Sequence, residues 1–300
     1  MKILCFGSMN IDKVYQVDSI VKEGETILSH GYGVFPGGKG LNQSIAAAKA
    51  GAECYHAGAV GIDGDILLDV LQEAGVHTEF IEKMEDCPSG HTIIQVDKNG
   101  QNCIIVDGGA NHRIKNETVD RVLKNFSSND ALLLQNELGN VGYVMEKAGK
   151  KGLKVYFNPS PVTDSIREYP LRFVDMFLIN EIEGGYLTGE TTPKKILESM
   201  HRKYPKAKIL LTLGKKGSCY TDGEGIITIE SFEVKVKDTT AAGDTFTGYL
   251  IAGIAAGKSM AENMRIATAA SAIAVSRKGA ASSVPHMAEV KNFIKEREGN

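Results

Sequence analysis

Tryptophan is absent from these 300 residues, and proline and cysteine are sparse, at eight and five. The cysteines (Cys5, Cys54, Cys87, Cys103 and Cys219) are odd in number and scattered, with no C-x-x-C pair. Neither a disulfide framework nor a zinc site is therefore suggested, and a reduced, cytoplasmic setting is the expectation. Net charge is only −3, so the chain carries no footprint for nucleic acid or an anionic membrane surface. No apolar run approaches bilayer length, and MKILCFGSMNID turns polar too soon for a signal peptide, reading better as a first strand. What is present suits a core: 42% of residues are hydrophobic and 24% charged. Three hundred residues allow one large α/β domain, or such a domain with a smaller insertion.

Short apolar runs alternate with helical ones. KILCFG (2–7), DALLLQ (130–135), KVYFNPS (154–160), MFLIN (176–180) and KILLTLG (208–214) fit parallel strands buried on both faces. Several end in polar residues at the carboxyl end, where open α/β sheets bind ligands. Helical patterns fall at 41–52, 66–75, 139–151, 193–203 and 259–275. Segments 13–36 and 88–110 alternate instead, and the second sets Asn99-Gly100 between two such runs, a hairpin signal. Two such patches predict a small β-lid beside the main domain, or else an ordinary edge extension. The expected division is 1–12, 37–87 and 111–300 for the α/β domain, with 13–36 and 88–110 as the lid.

The most informative run is DTTAAGDTF, Asp238 to Phe246. Ala241, Ala242 and Gly243 lead into Asp244 and then into TFTGYLIAGIAAG, a buried-helix pattern. A small-residue turn at a helix start presents free N–H groups at the positive end of the helix dipole, an anion site. A carboxylate beside it can accept a hydroxyl proton, which is the minimum equipment of a kinase acting on an alcohol. Taken alone, the run is more often a helix N-cap after a glycine turn. In GVFPGGKGLNQ, Gly33, Gly38 and Lys39 match G-x-x-x-x-G-K, but Gly40 stands where a Walker loop needs Ser or Thr. What remains is a glycine turn into a helix, open to a close polyhydroxyl ligand that Asn42 can hydrogen-bond, or a plain tight connection. Asn10 and Asp12 in GSMNID form an amide–carboxylate pair suited to sugar hydroxyls, or cap a turn. Asn180 and Glu183 in NEIEGGYLTG can hold a hydrated magnesium through water, or simply begin a helix. Thr212 and Gly214 end a strand in a loop that can pass under a nucleotide, or in a plain turn.

GSMNID, GGKGLNQ, NPSPV (158–162), NEIE (180–183), TLGKKG (212–217), DTTAAGDTF and AIAVSRKGAASSVP (272–285) occur in one familiar order. With these motifs the chain resembles, over almost its full length, the ribokinase-type sugar kinases of the phosphofructokinase-B superfamily. The resemblance implies a doubly wound, mostly parallel sheet flanked by helices, with a small antiparallel β-lid that clasps a partner as a homodimer. It implies transfer of the γ-phosphate of MgATP to a sugar's primary hydroxyl, with D-ribose favoured over a ketose, another sugar or a nucleoside. A non-catalytic sugar sensor on the same fold is the alternative from another class.

Matched position by position, the resemblance makes Asp244 the catalytic base, and the backbone of Ala241, Ala242 and Gly243 the anion hole. Asn10, Asp12, Gly38, Lys39 and Asn42 would contact the sugar, with Glu137 nearby. Asn180 and Glu183 would organise magnesium and phosphate, while Thr212, Gly214 and Gly217 line the ATP pocket. An activating potassium ion would sit against Asp238, Thr240, Ala274, Arg277, Gly279 and Ser283, several of them through backbone oxygens. AAGD, where the wider family usually has Gly-Ala-Gly-Asp, is typical of the ribokinase branch. Leu41 in place of a small alanine, and Asn136-Glu137-Leu138 without the proline expected there, are departures that would reshape the sugar pocket.

Overall fold

The structure is a computed structural model that describes residues 1–298. In chain order the strands are β1 (Ile3–Phe6), β2 (Asn10–Gln16), β3 (Gly31–Gly37), β4 (Cys54–Val60), β5 (His77–Lys83), β6 (Gly90–Val96), β7 (Asn102–Asp107), β8 (Ala131–Gln135), β9 (Lys154–Asn158), β10 (Val174–Asn180), β11 (Lys208–Thr212), β12 (Ser218–Thr221) and β13 (Ile226–Ile229). The α-helices are α1 (Lys39–Lys49), α2 (Asp65–Glu73), α3 (Asn116–Leu123), α4 (Val141–Lys151), α5 (Glu181–Thr188), α6 (Pro193–Lys203), α7 (Ala242–Ala255), α8 (Met260–Val275) and α9 (Met287–Glu298). No helix among the described residues is long and apolar enough to cross a membrane.

Side chains alternate up and down each central strand, and here both faces are apolar. Leu4, Phe6, Leu132 and Leu134 point into one core with α3, α4 and α6. Ile3, Cys5, Ala131 and Leu133 point into the other, against α1, α2, α7, α8 and α9. The sheet runs β13-β12-β11-β10-β9-β8-β1-β4-β5. It is parallel from β11 to β5, with an antiparallel edge at β12 and β13. The chain builds outward from β1 in both directions, so the crevice at the carboxyl ends of β1 and β8 is the topological switch point where such sheets bind ligands. The polar residues ending the central strands line up there, Gln135 opposite Asn158 and Asn180 opposite Thr212.

The alternating segments form a separate four-stranded sheet, β3-β2-β6-β7. Its outer pairs are antiparallel, and β2 and β6 join them in parallel. That direction follows from connectivity: β2 and β6 continue from the parallel strands β1 and β5 through short links, both at the carboxyl end of the main sheet. The Asn99-Gly100 signal marks a real hairpin, in which Asp97 Oδ1 accepts the N–H groups of Asn99 and Gln101 at 2.8 and 2.9 Å. Alternation does not make strand of residues 17–30, which instead turn at Gly24 (φ 77°). The connection is pinned at its ends by Val17 N–H to Val96 O and His30 N–H to Gln16 O.

Strand β4 is hard to see in the sequence because His56 and Gly58 interrupt its apolar run. His56 is fully buried and bridges two elements of the site's scaffold. Its Nε2 lies 3.1 Å from Gly7 O, which can only accept, so Nε2 carries the proton and Nδ1 accepts from Ser44 Oγ at 2.8 Å. Burial pushes its pKa from 6.5 down to about 4, the Gly7 contact acting against it. Below pH 6.5 the unfolded chain takes up a proton that the folded chain refuses until about pH 4. The stability held by neutral His56 is thus present above 6.5 and lost as pH falls toward 4, by about 3 kcal/mol. Denaturant unfolding at pH 7 and pH 4.5 is expected to show a pH-dependent loss that a His56→Gln variant flattens; an unchanged slope would contradict this.

Candidate active site

Helix α7 begins at Ala241, whose φ of 57° is the only positive value at a non-glycine among the described residues. That conformation costs an L-residue roughly 1 kcal/mol, a strain tolerated chiefly at functional turns. Ala242, Gly243 and Asp244 make the first helical turn, whose N–H groups have no preceding helical carbonyl. The Ala242 N–H does reach Thr239 O, at 3.3 Å. These residues line a polar cavity of about 250 Å³ together with Lys39, Asn180, Glu183 and Thr212. A larger cavity of about 850 Å³ adjoins it, sharing Thr212, Thr239, Ala242 and Gly243.

Asp244 is nearly buried, at 9% exposure, yet forms part of the smaller cavity's wall. Its Oδ2 accepts from Asn42 Nδ2 at 3.2 Å, and its Oδ1 from Gln43 Nε2 at 2.9 Å. Asn42 therefore already serves the carboxylate, and its buried Oδ1 has no partner among the described residues. Lys39 opens α1, and its N–H donates to Glu137 Oε2 at 3.1 Å. The Ser8 hydroxyl donates to the same oxygen. Burial alone would depress the Lys39 ammonium, but Asp244, Glu137 and Glu183 around it outweigh that and hold its pKa above the usual value. Burial raises Glu137, and Lys39 with Ser8 only partly offsets it. The cluster is thus one cation among three carboxylates, with Lys39 the chief gainer.

Gly38 precedes this helix at φ 97°, where a Cβ would meet Ser8 O at 2.9 Å and Asn10 N at 3.0 Å. Asn10 and Asp12 lie on β2, at the root of the small sheet. Asn111 Nδ2 donates to Asn10 Oδ1 at 2.8 Å, and Thr92 Oγ1 to Asp12 Oδ1 at 2.6 Å. Burial raises the Asp12 carboxyl, the Thr92 bond opposing. Asn10, Asp12, Gly38, Asn42 and Glu137 line neither cavity; Lys39 and Asp244 are the members of this set that do. Leu41 is fully buried in the apolar core, so the expected reshaping of a sugar pocket does not come from its side chain. Asn136 anchors the following loop, donating to Pro161 O at 2.6 Å and accepting from Tyr169 at 2.7 Å.

Asn180 and Glu183 form a capping box at the start of α5. Asn180 Oδ1 accepts Glu183 N–H at 2.9 Å, and Glu183 Oε2 accepts Asn180 N–H at 3.0 Å. Burial raises Glu183, with the Asn180 N–H and Lys39 opposing. With its oxygens engaged, this pair suits a magnesium ion that keeps its waters rather than direct ligation. Thr212, Gly214 and Gly217 line the larger cavity. Phe232, Val234 and Val236, which also line it, carried no motif to find them by, whereas Ala272 and Val275 open the AIAVSRKGAASSVP run.

Of the candidate potassium residues, Asp238 ties two loops together. Its Oδ1 accepts Thr240 N–H and its Oδ2 accepts Gly279 N–H, both at 2.9 Å. Arg277 turns its guanidinium to Glu289, the Ala274 carbonyl already accepts Arg277 N–H at 3.0 Å, and Ser283 Oγ donates to Ala280 O at 2.7 Å. Asp238, Thr240 and Gly279 are thus brought together, and none of the six residues lines either cavity.

A mostly parallel α/β sheet, with the free amides of a helix N-terminus and a carboxylate in a cavity at the carboxyl ends of β9, β10 and β11, suits a phosphotransferase. The family model for pfkB family carbohydrate kinases matches residues 1–287. The chain belongs to this family, and is a phosphotransferase with an alcohol acceptor. It is similar to the ribokinase of Haemophilus influenzae, 34% identical over 297 residues that cover 96% of each chain. Among solved structures it is similar to the ribokinase of Thermotoga maritima, 35% identical with a TM-score of 0.89, covering 98% of this chain and 99% of that one. It is similar also to Arabidopsis thaliana ribokinase complexed with ribose and ATP, at 30% identity and a TM-score of 0.86, covering 98% of each chain.

Gln43, Thr92, Asn111 and Asn158 were not singled out by sequence reasoning. Gln43 stands beside Asn42 in the glycine-rich motif, so a signal existed; Thr92 and Asn111 act only through tertiary neighbours. What brings Asn42 and Gln43 to Asp244 is the approach of α1 to α7 at Gly248. A Cβ there would lie 2.5 Å from both Ala46 Cβ and Gln43 O, and 2.7 Å from Ala47 N. Helix propensity favours Gly→Ala by roughly 1 kcal/mol, whereas overpacking against backbone costs about 1–3 kcal/mol. Gly248→Ala is therefore expected to lower the melting temperature and turnover together; a stabilised, fully active variant would contradict the packing argument.

Proposed function

We propose that this chain phosphorylates the primary hydroxyl of D-ribose with MgATP, giving ribose 5-phosphate. The carrying observation is Asp244, held by two amides in the wall of a cavity that the rest of its own helix N-terminus, Ala241 to Gly243, also lines. The choice of ribose is supported by the likeness to ribokinases, one of them complexed with ribose and ATP.

In this reading the sugar lies under the small sheet, with Asn10, Asp12, Gly38, Lys39, Asn42 and Glu137 toward its hydroxyls. The buried, unpartnered Asn42 Oδ1 is an acceptor suited to one of them. ATP fills the larger cavity along Thr212, Gly214 and Gly217, its terminal phosphate toward the amides of 241–243. The acceptor oxygen bonds to phosphorus as the bond to the bridging oxygen breaks, and ADP leaves. Asp244 takes the hydroxyl proton, which can transfer late because the transition state is loose. Lys39 balances charge near the transferring group. Magnesium, held through water by Glu183 with Asn180, would neutralise phosphate charge. Potassium at Asp238, Thr240, Ala274, Arg277, Gly279 and Ser283 would steady the anion-hole turn.

Segments 13–36 and 88–110 act as the lid over the α/β remainder and exclude water on closing. The lid exposes Phe35, Ile104 and Val106 on the face that carries Asp12, and Tyr32 and Ile105 on the opposite face, apolar surface suited to a second copy in a homodimer. Five free cysteines suit a reduced, cytoplasmic setting.

Steady-state assays test this. Asp244→Asn is expected to fold normally and lose roughly 10²–10⁴-fold in kcat; a variant keeping over about a tenth of the rate ends the base assignment. Across ribose, deoxyribose, fructose, allulose and nucleosides, ribose is expected to give the highest kcat/KM. A ketose or nucleoside preference overturns the substrate, and no turnover with any revives a sugar sensor. Tetramethylammonium in place of potassium is expected to lower the ribose rate, and an unchanged rate removes the cation.

A further inference from the structure

Asp244 is held by a buried amide relay that the proposed chemistry does not use directly. Gln43 and Gln135 are 0% and 1% exposed, and neither lines a cavity. Gln43 Nε2 donates to Asp244 Oδ1 at 2.9 Å, and Gln135 Nε2 donates to Gln43 Oε1 at 2.7 Å. An ionised carboxylate only accepts, so Gln43 must present its nitrogen to Asp244 and its oxygen to Gln135. Gln135 must in turn present its nitrogen, and the polarity of both amides follows from Asp244 outward. Gln43 Nε2 also lies 3.4 Å from Asn158 Oδ1, and Asn158 Nδ2 donates to Leu178 O at 2.8 Å. The carboxylate on α7 is thereby tied through α1 to the carboxyl ends of β8 and β9. With Asn42 on the other oxygen, the plane of the carboxyl group is fixed.

Packing alone does not account for this arrangement. Gln135 leaves its Oε1 buried without a partner among the described residues, a cost that an apolar residue of the same size would avoid. We infer that Gln43 is a positioning residue for phosphoryl transfer, its amide locked in one orientation by Gln135 so that Asp244 is aimed at the acceptor hydroxyl. The inference rests on the reading of Asp244 as the base.

The test is steady-state kinetics of Gln43→Met, Gln135→Met and the double variant, with melting temperature as the fold control. Gln43→Met is expected to lose roughly 10- to 100-fold in kcat, as misplacement of a reacting group does, with KM for ribose and ATP within about threefold of wild type. Gln135→Met is expected to lose less. Because Gln135 acts through Gln43, the double variant is expected to be no slower than Gln43→Met, a non-additivity that independent core residues do not show. Should a Met variant fail to fold, Gln43→Leu likewise removes the donor toward Asp244 without adding a charge beside it, and the same kcat loss is expected. Multiplicative losses in the double variant, or KM increases with unchanged kcat, overturn the relay. If Asp244→Asn is itself fully active, the underlying reading falls. An inactive Asp244→Asn beside unaffected Gln43 and Gln135 variants removes the positioning role alone.

Discussion

The close approach of α1 to α7 at Gly248 is the constraint on which the site depends. Only a residue without a Cβ lets the backbone of one helix lie against the other, and that contact carries Asn42 and Gln43 onto the two oxygens of Asp244. The same helix α1 begins beside Gly7 and Ser8, where Gly40 permits an equally tight crossing. Its far side is pinned through Ser44 to the neutral His56. One short helix thus couples the first strand, the small sheet's root and the anion-binding turn.

Charge makes the second constraint. Three carboxylates, Asp244, Glu137 and Glu183, surround the single ammonium of Lys39. A bare assembly of that kind would repel itself, and burial presses Glu137 and Glu183 toward their neutral forms. Amide and hydroxyl donors from Ser8, Asn42, Gln43, Asn158 and Asn180 share the load, each a residue with no charge of its own to add. The pocket is negative except where the helix N-terminus and Lys39 meet, which is where a phosphate group finds its complement.

The fold was largely legible because parallel strands buried on both faces write continuous apolar runs, and helices 193–203 and 259–275 write clean periodicity. Asp244 and the AAGD turn stood out only in company: alone such a run is more often a plain helix N-cap, and it was the other motifs in their order that marked it. Strands β4 and β5 were not legible, since His56 and Gly58 break one run and β5 is a partly exposed edge. Nor was Asn111, whose role exists only once segments over 90 residues apart meet, while Gln43 had no more than its place in the glycine-rich motif to mark it. Asn180 and Glu183 are at once a helix cap and part of the cavity wall, so the plain reading of that motif does not displace its place at the cavity.

The most direct measurement is a crystal structure with ribose and a non-hydrolysable ATP analogue. The account requires the sugar's primary hydroxyl within about 2.6–3.2 Å of an Asp244 oxygen, on the side facing the γ-phosphate position. A sugar bound with that hydroxyl turned elsewhere, or an Asp244 side chain withdrawn from the cavity, would contradict it.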